Sequence, residues 1–140
     1  MMNKQFKKFT LNNFATHRFT LTPLELKDYI DFDIKRIYWI IDPKDQTGEH
    51  CHYKEEELFV MLQGSCTAII DRGNGKEEVS LDGPQNAIYV PNYVWHGFKD
   101  FSEGAVLLAL TSTNYNPDRS DYLEDYEKYL EIRDEHLSKE

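Results

Sequence analysis

The feature that most constrains the fold is a series of short segments, rich in β-branched and aromatic residues and dominated by a two-residue period. Such a period puts every second side chain on the same face, as in a half-buried β-strand. The segments are KRIYWII (35–41), LFVMLQ (58–63), SCTAIID (65–71), EEVSL (77–81), NAIYV (86–90) and AVLLALTST (105–113). Turn-forming residues separate them, and DRGNGKE (71–77) is typical of a hairpin turn. This pattern predicts an all-β fold, an antiparallel barrel of the jelly-roll type.

The last part of the chain changes to a helical period. From Ser120, a residue type that often caps helices, apolar and long side chains recur at spacings of three and four. These are Tyr122, Tyr126, Tyr129, Leu130, Arg133 and Leu137. We therefore predict one domain over 1–140, with a barrel over about 5–117 and a C-terminal helix over about 120–137. Near the N-terminus, FKKFTL (6–11) and RFTL (18–21) are each compatible with a strand.

Composition excludes several classes of protein. With 140 residues and 40% hydrophobic content, the chain can bury a core. The net charge is −9 and no basic stripe is present, so we expect no nucleic-acid partner. No apolar run is long enough for a bilayer and no signal peptide is visible, so we expect no membrane partner. Two cysteines do not form a disulfide framework, which favours reduced thiols and a cytoplasmic location.

The stretch GEHCHYKEEELFVMLQG (48–64) carries the strongest functional signal. In a strand, His50 and His52 share one face and project together into the barrel. Glu57 begins the next apolar strand, and YVPNYVWHGF (89–98) supplies a third histidine, His96. Three imidazoles and a carboxylate are a ligand set for a first-row metal, whereas a histidine pair near neutral pH also suits proton transfer. Both interpretations remain open at this point.

The spacing His-x-His-x4-Glu-x6-Gly, followed by a Pro…His element, resembles the cupin superfamily. More narrowly, residues 34–130 resemble the small WxcM-like sugar 3,4-ketoisomerases that act on dTDP-4-keto-6-deoxyglucose. The matching stretches are IKRIYWI (34–40), GEHCHYK (48–54), LQGSCTAIID (62–71), VSLDGP (79–84), IYVPNYVWHGFKDFS (88–102) and YNPDRSDYLEDYEKYL (115–130). Two departures concern the site. Thr47 and Cys51 replace the arginine and alanine of the family's Arg-Gly-x-His-Ala-His, and Glu57 stands where members of the family carry glutamine.

The resemblance implies catalysis by His52, His50 and Tyr38. Moving a ketone from C4 to C3 passes through an enediol, and it needs a base for the C3 proton and an acid that returns a proton at C4. By the resemblance, His52 is the base, and His50 shuttles the proton or orients the sugar. Tyr38 is the candidate donor to the enediolate oxygen, although its position in RIYWI equally suits a core aromatic.

The resemblance also implies a binding set for a dTDP-linked keto-deoxysugar. Arg36 and Lys54 match positions that face the ligand, and Lys54 would share the strand face of His52. Tyr115 and Tyr122 are candidates for the wall near the nucleotide, although helix packing is the favoured interpretation of Tyr122. Glu57 is expected to be held by a neighbouring histidine. His96, together with Arg18 in THRFTL (16–21), favours the galacto product over the gluco product.

The leading hypothesis is therefore a nucleotide-sugar 3,4-ketoisomerase that needs no cofactor, in deoxyamino-sugar and surface-glycan (lipopolysaccharide or O-antigen) biosynthesis. A second hypothesis is a metal-dependent cupin enzyme that uses His50, His52, Glu57 and His96 as ligands. A third is a nucleotide-sugar-binding cupin without turnover. Because the edge strands of a small barrel are unpaired, we also expect a homodimer.

Overall fold

The computed structural model describes residues 4–136, which form two facing five-stranded antiparallel sheets and one C-terminal helix. The first sheet has the order β1-β9-β6-β11-β4, and the second has the order β12-β5-β10-β7-β8. The strands are β1 (Lys7–Thr10), β2 (Phe14–Ala15), β3 (Thr20–Leu21), β4 (Arg36–Ile41), β5 (Thr47–His52), β6 (Glu57–Gln63), β7 (Ser65–Asp71), β8 (Lys76–Asp82), β9 (Asn86–Val90), β10 (Trp95–Lys99), β11 (Val106–Thr111) and β12 (Tyr122–Leu123). The jelly-roll prediction is confirmed.

The main core lies between the two sheets and follows the two-residue period. In β11, every second residue is buried, and in β4 the inward positions alternate with exposed ones. The buried side chains of both sheets meet in one cluster that includes Phe59, Ile70, Leu81, Ile88 and Leu107. Burial of side chains of this size stabilises the fold by about 1.5–3 kcal/mol each. The hairpin predicted at 71–77 joins β7 to β8, with Asp71 opposite Lys76.

A second cluster lies on the outer face of the first sheet. Strand β6 is buried along its first five residues and β9 along its whole length, because both faces of this sheet are covered. Leu58, Val60 and Tyr89 point outward and are covered by the N-terminal segment, which supplies Phe9, Leu11, Ile30 and neighbouring apolar residues. That segment contains a single 3-10 turn, Leu26–Asp28. The continuous apolar runs of β6 and β9 therefore reflect burial on both faces.

The C-terminal helix α1 (Tyr126–His136) begins six residues after the predicted start at Ser120. The prediction failed because Tyr122 and Leu123 pair with His52 and Cys51 as strand β12. The chain turns into the helix at Asp125, whose side chain accepts a hydrogen bond from the Lys128 N–H. The predicted end at Leu137 lies outside the described residues. No helix among residues 4–136 is long and apolar enough to cross a membrane.

A buried aspartate anchors α1 to the barrel. The carboxylate of Asp71 accepts hydrogen bonds from the Tyr126 hydroxyl, at 2.7 Å, and from the Arg133 guanidinium, at 2.9 Å. The Tyr129 hydroxyl donates to the Asp71 and Tyr93 carbonyl oxygens. Tyr129 is fully buried and packs in an aromatic cluster with Trp95. Each end of the helix is therefore held by contacts with the second sheet.

Candidate active site

Three histidines meet inside one end of the barrel. His50 and His52 alternate along β5 and share its inward face, as predicted, and His96 on the adjacent strand β10 lies directly opposite His50. The ring centroids are 4.8 Å apart for His50 and His52, 4.8 Å for His50 and His96, and 5.7 Å for His52 and His96. Cys51 points to the other face and is buried, so it is a core thiol.

Two glycines allow the histidine strands to approach each other. A Cβ atom on Gly97 would lie 2.6 Å from the Glu49 side chain and 2.9 Å from the Thr47 carbonyl oxygen. Gly48 has a φ of +80°, and a Cβ there would lie 2.9 Å from Gly97. The register of β5 and β10 shifts at this point, between His96 and Gly97. A larger residue at either glycine would push β5 and β10 apart, and His50 and His96 with them.

Glu57 is the carboxylate at the centre of the cluster. It opens β6 on the facing sheet, and its Oε1 atom lies 3.2 Å from Nε2 of both His52 and His96. Its Oε2 atom accepts a hydrogen bond of 3.0 Å from the Tyr38 hydroxyl. Burial raises the pKa of Glu57, but the contacts with the two imidazoles outweigh burial and hold the pKa well below its usual range. Glu57 is therefore ionised, and its charge with burial raises the pKa of Tyr38.

His52 is placed between carboxylates on both of its ring nitrogens. Its Nδ1 lies 3.2 Å from Asp121 Oδ2, and its Nε2 lies 3.2 Å from oxygens of both Glu55 and Glu57. Burial lowers the pKa of His52, but these hydrogen bonds and charges outweigh it and raise the pKa to about 9. For His50, burial and the neighbouring histidine charges lower the pKa to about 3. At neutral pH, His52 is protonated and His50 is neutral.

Asp121 is a site residue that the sequence analysis missed. It directly precedes β12, and its carboxylate also accepts the backbone N–H groups of Lys54, at 2.8 Å, and Glu55, at 3.2 Å. It thus fixes the loop that follows His52 and the orientation of the His52 ring. The contact joins residues 69 positions apart. In the sequence, Asp121 is one acid among many in an acidic tail, and only the DYLEDYEKY match to the family singled out this segment.

A group of arginine and tyrosine side chains borders the histidines. Helix packing was predicted for Tyr122, but Tyr122 lies in β12. Its ring is 4.6 Å from that of His52 and 5.0 Å from that of His50. Tyr115 lies 6.4 Å from Tyr122. The Arg36 guanidinium lies over the Tyr38 ring at 4.7 Å and over the Tyr115 ring at 5.3 Å. The structure thus brings Arg36, Tyr38 and Tyr115 to the histidine cluster.

Two predicted residues are not brought to the cluster. Strand β5 ends at His52, so Lys54 does not share its strand face; the Lys54 side chain is exposed, in the loop that Asp121 fixes. The reason is that Lys54 and Glu55 bond to Asp121 instead of continuing the ladder. Arg18 is exposed in the turn between β2 and β3, a hairpin that forms a separate two-stranded sheet.

A cavity of about 40 Å³ lies beside the histidines, inside the barrel. His50, His96 and Tyr38 line one side of it, and Phe59 and Phe98 line another. This volume corresponds to about one water molecule. A hexose does not fit there, so a sugar at this site would contact the histidines from the side that Tyr122, Tyr115 and Arg36 border.

Four donor residues lie close enough together to share a metal ion. One ligand atom from each of His50, His52, Glu57 and His96 lies within 4.8 Å of all the others. His96 Nδ1 faces the Val94 carbonyl oxygen at 2.9 Å and so carries a hydrogen, which leaves Nε2 facing Glu57 Oε1. Both of these atoms are buried without a hydrogen bond of good geometry. A proton or a divalent cation would satisfy both atoms, so the set fits a first-row metal as well as a proton-transfer site.

Comparison with known proteins identifies relatives over nearly the whole chain. Residues 2–134 match the family model described as FdtA: WxcM-like, C-terminal. A TDP-4-oxo-6-deoxy-alpha-D-glucose-3,4-oxoisomerase from Aneurinibacillus thermoaerophilus is 40% identical over 114 residues, which are 80% of this chain and 81% of the relative. A 3,4-ketoisomerase from Helicobacter canadensis superposes with a TM-score of 0.81 at 32% identity, covering 94% of this chain and 99% of that one.

A further solved structure contains a ligand. It is a histidine-to-asparagine mutant of the 3,4-ketoisomerase QdtA from Thermoanaerobacterium thermosaccharolyticum, in complex with TDP-4-keto-6-deoxyglucose. It superposes with a TM-score of 0.84 at 30% identity, covering 99% of this chain and 100% of that one.

Proposed function

The chain belongs to the WxcM-like FdtA family, and from this premise we propose that it is a 3,4-ketoisomerase acting on TDP-4-keto-6-deoxyglucose. The observation that carries the proposal is His52 held between Asp121 and Glu57, next to a second histidine, in a chain 40% identical to a TDP-4-oxo-6-deoxyglucose 3,4-oxoisomerase. A buried histidine fixed on both sides keeps one orientation toward a sugar carbon, which is what proton transfer requires.

The reaction moves two protons and leaves the composition of the sugar unchanged. In the first half, the C3–H bond breaks, its proton goes to a base, and its electron pair forms the C3–C4 double bond while O4 takes a proton. In the second half, O3 loses its proton, the C3=O bond forms, and C4 takes a proton. One base and one acid that exchange roles are sufficient for this sequence.

We assign the proton exchange to His52. Its carboxylate partners make its neutral form a stronger base than an ordinary imidazole, and they hold the charge after the proton arrives. His50 is neutral and adjacent, so it accepts or relays the second proton. Tyr38 keeps its phenolic hydrogen, because burial and Glu57 raise its pKa. That hydrogen is bonded to Glu57 Oε2, so Tyr38 donates to the oxygen of the enediolate only when its hydroxyl turns away from Glu57.

Arg36 is the proposed contact for the diphosphate, in accordance with its place beside Tyr38 and Tyr115. His96 is proposed to contact the sugar. The preference for the galacto product now rests on His96 alone, because Arg18 lies in the β2–β3 turn, away from the histidines. Reduced, buried Cys51 and Cys66 agree with the proposed cytoplasmic location.

The proposed partner is a second copy of this chain. Strand β4 is an edge of its sheet, and its outward residues Ile37, Trp39 and Ile41 are 55%, 59% and 55% exposed. The β2–β3 hairpin exposes Phe14, Phe19 and Leu21. These two exposed apolar surfaces, on β4 and on the β2–β3 hairpin, would be covered by a symmetric contact between two copies of the chain.

The test of the function is exchange of the C3 hydrogen of TDP-4-keto-6-deoxyglucose in D2O, followed by NMR, with His52→Asn beside the wild type. We expect His52→Asn to bind the sugar nucleotide almost as well as the wild type, because the diphosphate and base contacts remain. We expect its turnover to fall by at least ~10²-fold, the lower end for loss of an acid–base group. Binding without exchange by the wild type would instead favour a non-catalytic binding protein.

A metal-dependent cupin enzyme is the second candidate, favoured by the buried Glu57 Oε1 and His96 Nε2 atoms, which lack a hydrogen bond of good geometry. His50, His52, Glu57 and His96 would hold the ion. A bound divalent metal would supply Lewis-acid stabilisation of a sugar oxygen. Asp121 would then orient His52 as a ligand rather than as a base.

A further inference from the structure

Arg119 has no place in the function described so far, although it lies against the site. Its guanidinium carbon is 3.9 Å from the centroid of the Tyr122 ring, and its side chain also interacts with Tyr115. Tyr115 is the same ring that Arg36 covers at 5.3 Å. One tyrosine thus contacts two guanidinium groups, and we call Arg36, Tyr115, Arg119 and Tyr122 the arginine–tyrosine cluster.

The arginine–tyrosine cluster is one aromatic ring away from the reacting histidines. Tyr122 contacts His50 and His52 as well as Arg119: the histidine rings lie 5.0 and 4.6 Å from the Tyr122 ring. A group bound by both arginines would therefore be joined to a group at the histidines across a short distance. This is the arrangement that a sugar ring attached to a diphosphate requires.

The arginine–tyrosine cluster contains two cations and no carboxylate, and Glu55 interacts electrostatically with Arg36 from outside the cluster. The only carboxylate paired with Arg119 among residues 4–136 is Glu124, at 3.0 Å, and this pair is exposed: the side chains are 43% and 60% accessible. Arg36 contacts tyrosine rings through its guanidinium. Two like charges that share one ring repel each other, and an anion between them removes that repulsion. A ligand with two linked anionic groups fits this pair of forks.

The backbone of Arg119 gives a second, independent observation. Its φ is +57°, in the left-handed region that a residue with a branched or long side chain rarely adopts. The turn that contains it is closed by the Asp118 side chain, which accepts the Ser120 N–H. Strained residues persist where the surrounding structure holds them, and they cluster at ligand sites. Arg119 shares a positive φ with Asp42, Tyr93 and Asp100, and its guanidinium lies over Tyr122.

We infer that Arg119 is a second diphosphate-binding residue, which leaves Glu124 and joins Arg36 around the diphosphate of the nucleotide sugar. The inference rests on the proposed function, since it concerns the same ligand. Glu124 is then a competitor of the ligand for the Arg119 guanidinium. If Arg119 only stabilised the turn through its pair with Glu124, removal of the Glu124 charge would not improve ligand binding.

The test is the Kd of TDP at low salt, measured by calorimetry for the wild type, Arg119→Gln, Arg119→Lys and Glu124→Gln. We expect Arg119→Gln to weaken TDP binding ~10-fold or more and Arg119→Lys to weaken it less, since lysine keeps the charge but loses the fork. We expect Glu124→Gln to tighten TDP binding a few-fold, and the losses to shrink at high salt. The matched control is Arg72→Gln, which breaks a similar exposed pair with Glu77 in the β7–β8 hairpin.

Thymidine, which has no phosphate, separates the possible outcomes. Weaker TDP binding with unchanged thymidine binding supports the inference, whereas equal losses for both ligands, or wild-type TDP affinity in Arg119→Gln, overturn it. Weaker TDP binding in Glu124→Gln would also overturn the inference that Glu124 competes with the ligand for Arg119. If the wild type binds no TDP at all, the proposed function itself has failed. If the wild type binds TDP and Arg119→Gln binds it with the same affinity, only the role of Arg119 is refuted and the proposed function stands.

Discussion

The substitution Asp121→Asn isolates the contribution of the carboxylate that holds His52. Asparagine has nearly the same shape, so its Oδ1 atom can still accept the Lys54 N–H, now bonded at 2.8 Å. Its amide nitrogen, however, would face two donors, His52 Nδ1 at 3.2 Å and the Glu55 N–H at 3.2 Å. The variant therefore loses the charge beside His52 and gains an unfavourable donor contact.

The magnitude follows from the hydrogen bond that is lost. A bond to a charged group contributes ~1.5–3 kcal/mol. Because the Asp121 side chain is 21% exposed, we take ~2 kcal/mol, in the lower half of that range. This corresponds to a fall of ~1.5 in the pKa of His52. Above pH 9, where His52 is neutral in both proteins, we expect kcat to fall by up to ~30-fold, whereas near pH 7 the larger neutral fraction of His52 in the variant offsets most of that loss.

The assay is the rate of C3 hydrogen exchange of TDP-4-keto-6-deoxyglucose, with the TDP Kd and Tm measured on the same preparations. We expect the Kd of TDP to stay close to that of the wild type. Asp118→Asn is the control, because Asp118 is an exposed carboxylate of the same segment that bonds only backbone and turn groups. A wild-type kcat above pH 9 in Asp121→Asn, or an equal loss in Asp118→Asn at that pH, would refute the argument.

Three other predictions concern the metal, the pH dependence and the dimer. Metal analysis of the purified protein should find no stoichiometric first-row metal, and Glu57→Gln should retain measurable isomerisation; a bound metal that disappears together with activity in Glu57→Gln would establish the metal-dependent alternative. The kcat/KM should rise with pH toward about 9, because His52 has a raised pKa and accepts a proton only after losing its own; a profile already flat from pH 6 would contradict His52 as the base. Trp39→Lys should convert a dimer to a monomer in light scattering, since it buries a charge in the exposed stripe of β4, whereas Glu77→Lys on β8 should not.

The local residue pattern was sufficient to predict the strands and the shared face of His50 and His52. The two-residue period sets which side chains face inward, so the shared face of His50 and His52 and the inward position of Tyr38 were predictable. The same period identified Glu57 at the start of its strand. These features depend on neighbours one or two residues away, which any single sequence contains.

The features that the sequence analysis missed or placed wrongly depend on long-range contacts. The spacing of Tyr122, Tyr126 and Tyr129 is helical throughout, but Tyr122 gains more from pairing with His52 in β12 than from a longer helix. Asp121 and Arg119 carry no local signal, because their partners are set by where the C-terminal segment crosses the barrel. The cover that Phe9, Leu11 and Ile30 form over the first sheet is also invisible without the fold.

Asp121 follows strands β1 to β11 in the sequence, and this order has a consequence for synthesis. A nascent chain that has emerged as far as Thr111 already contains β1 to β11, with the three histidines and Glu57. It lacks the partner of His52 Nδ1, and it lacks the helix that fastens the C-terminal segment to Asp71. We therefore expect the barrel strands to be able to pair during synthesis before the site around His52 is complete. On this expectation, isomerase activity measures the arrival of the C-terminal segment, whereas burial of the core measures only the pairing of β1 to β11.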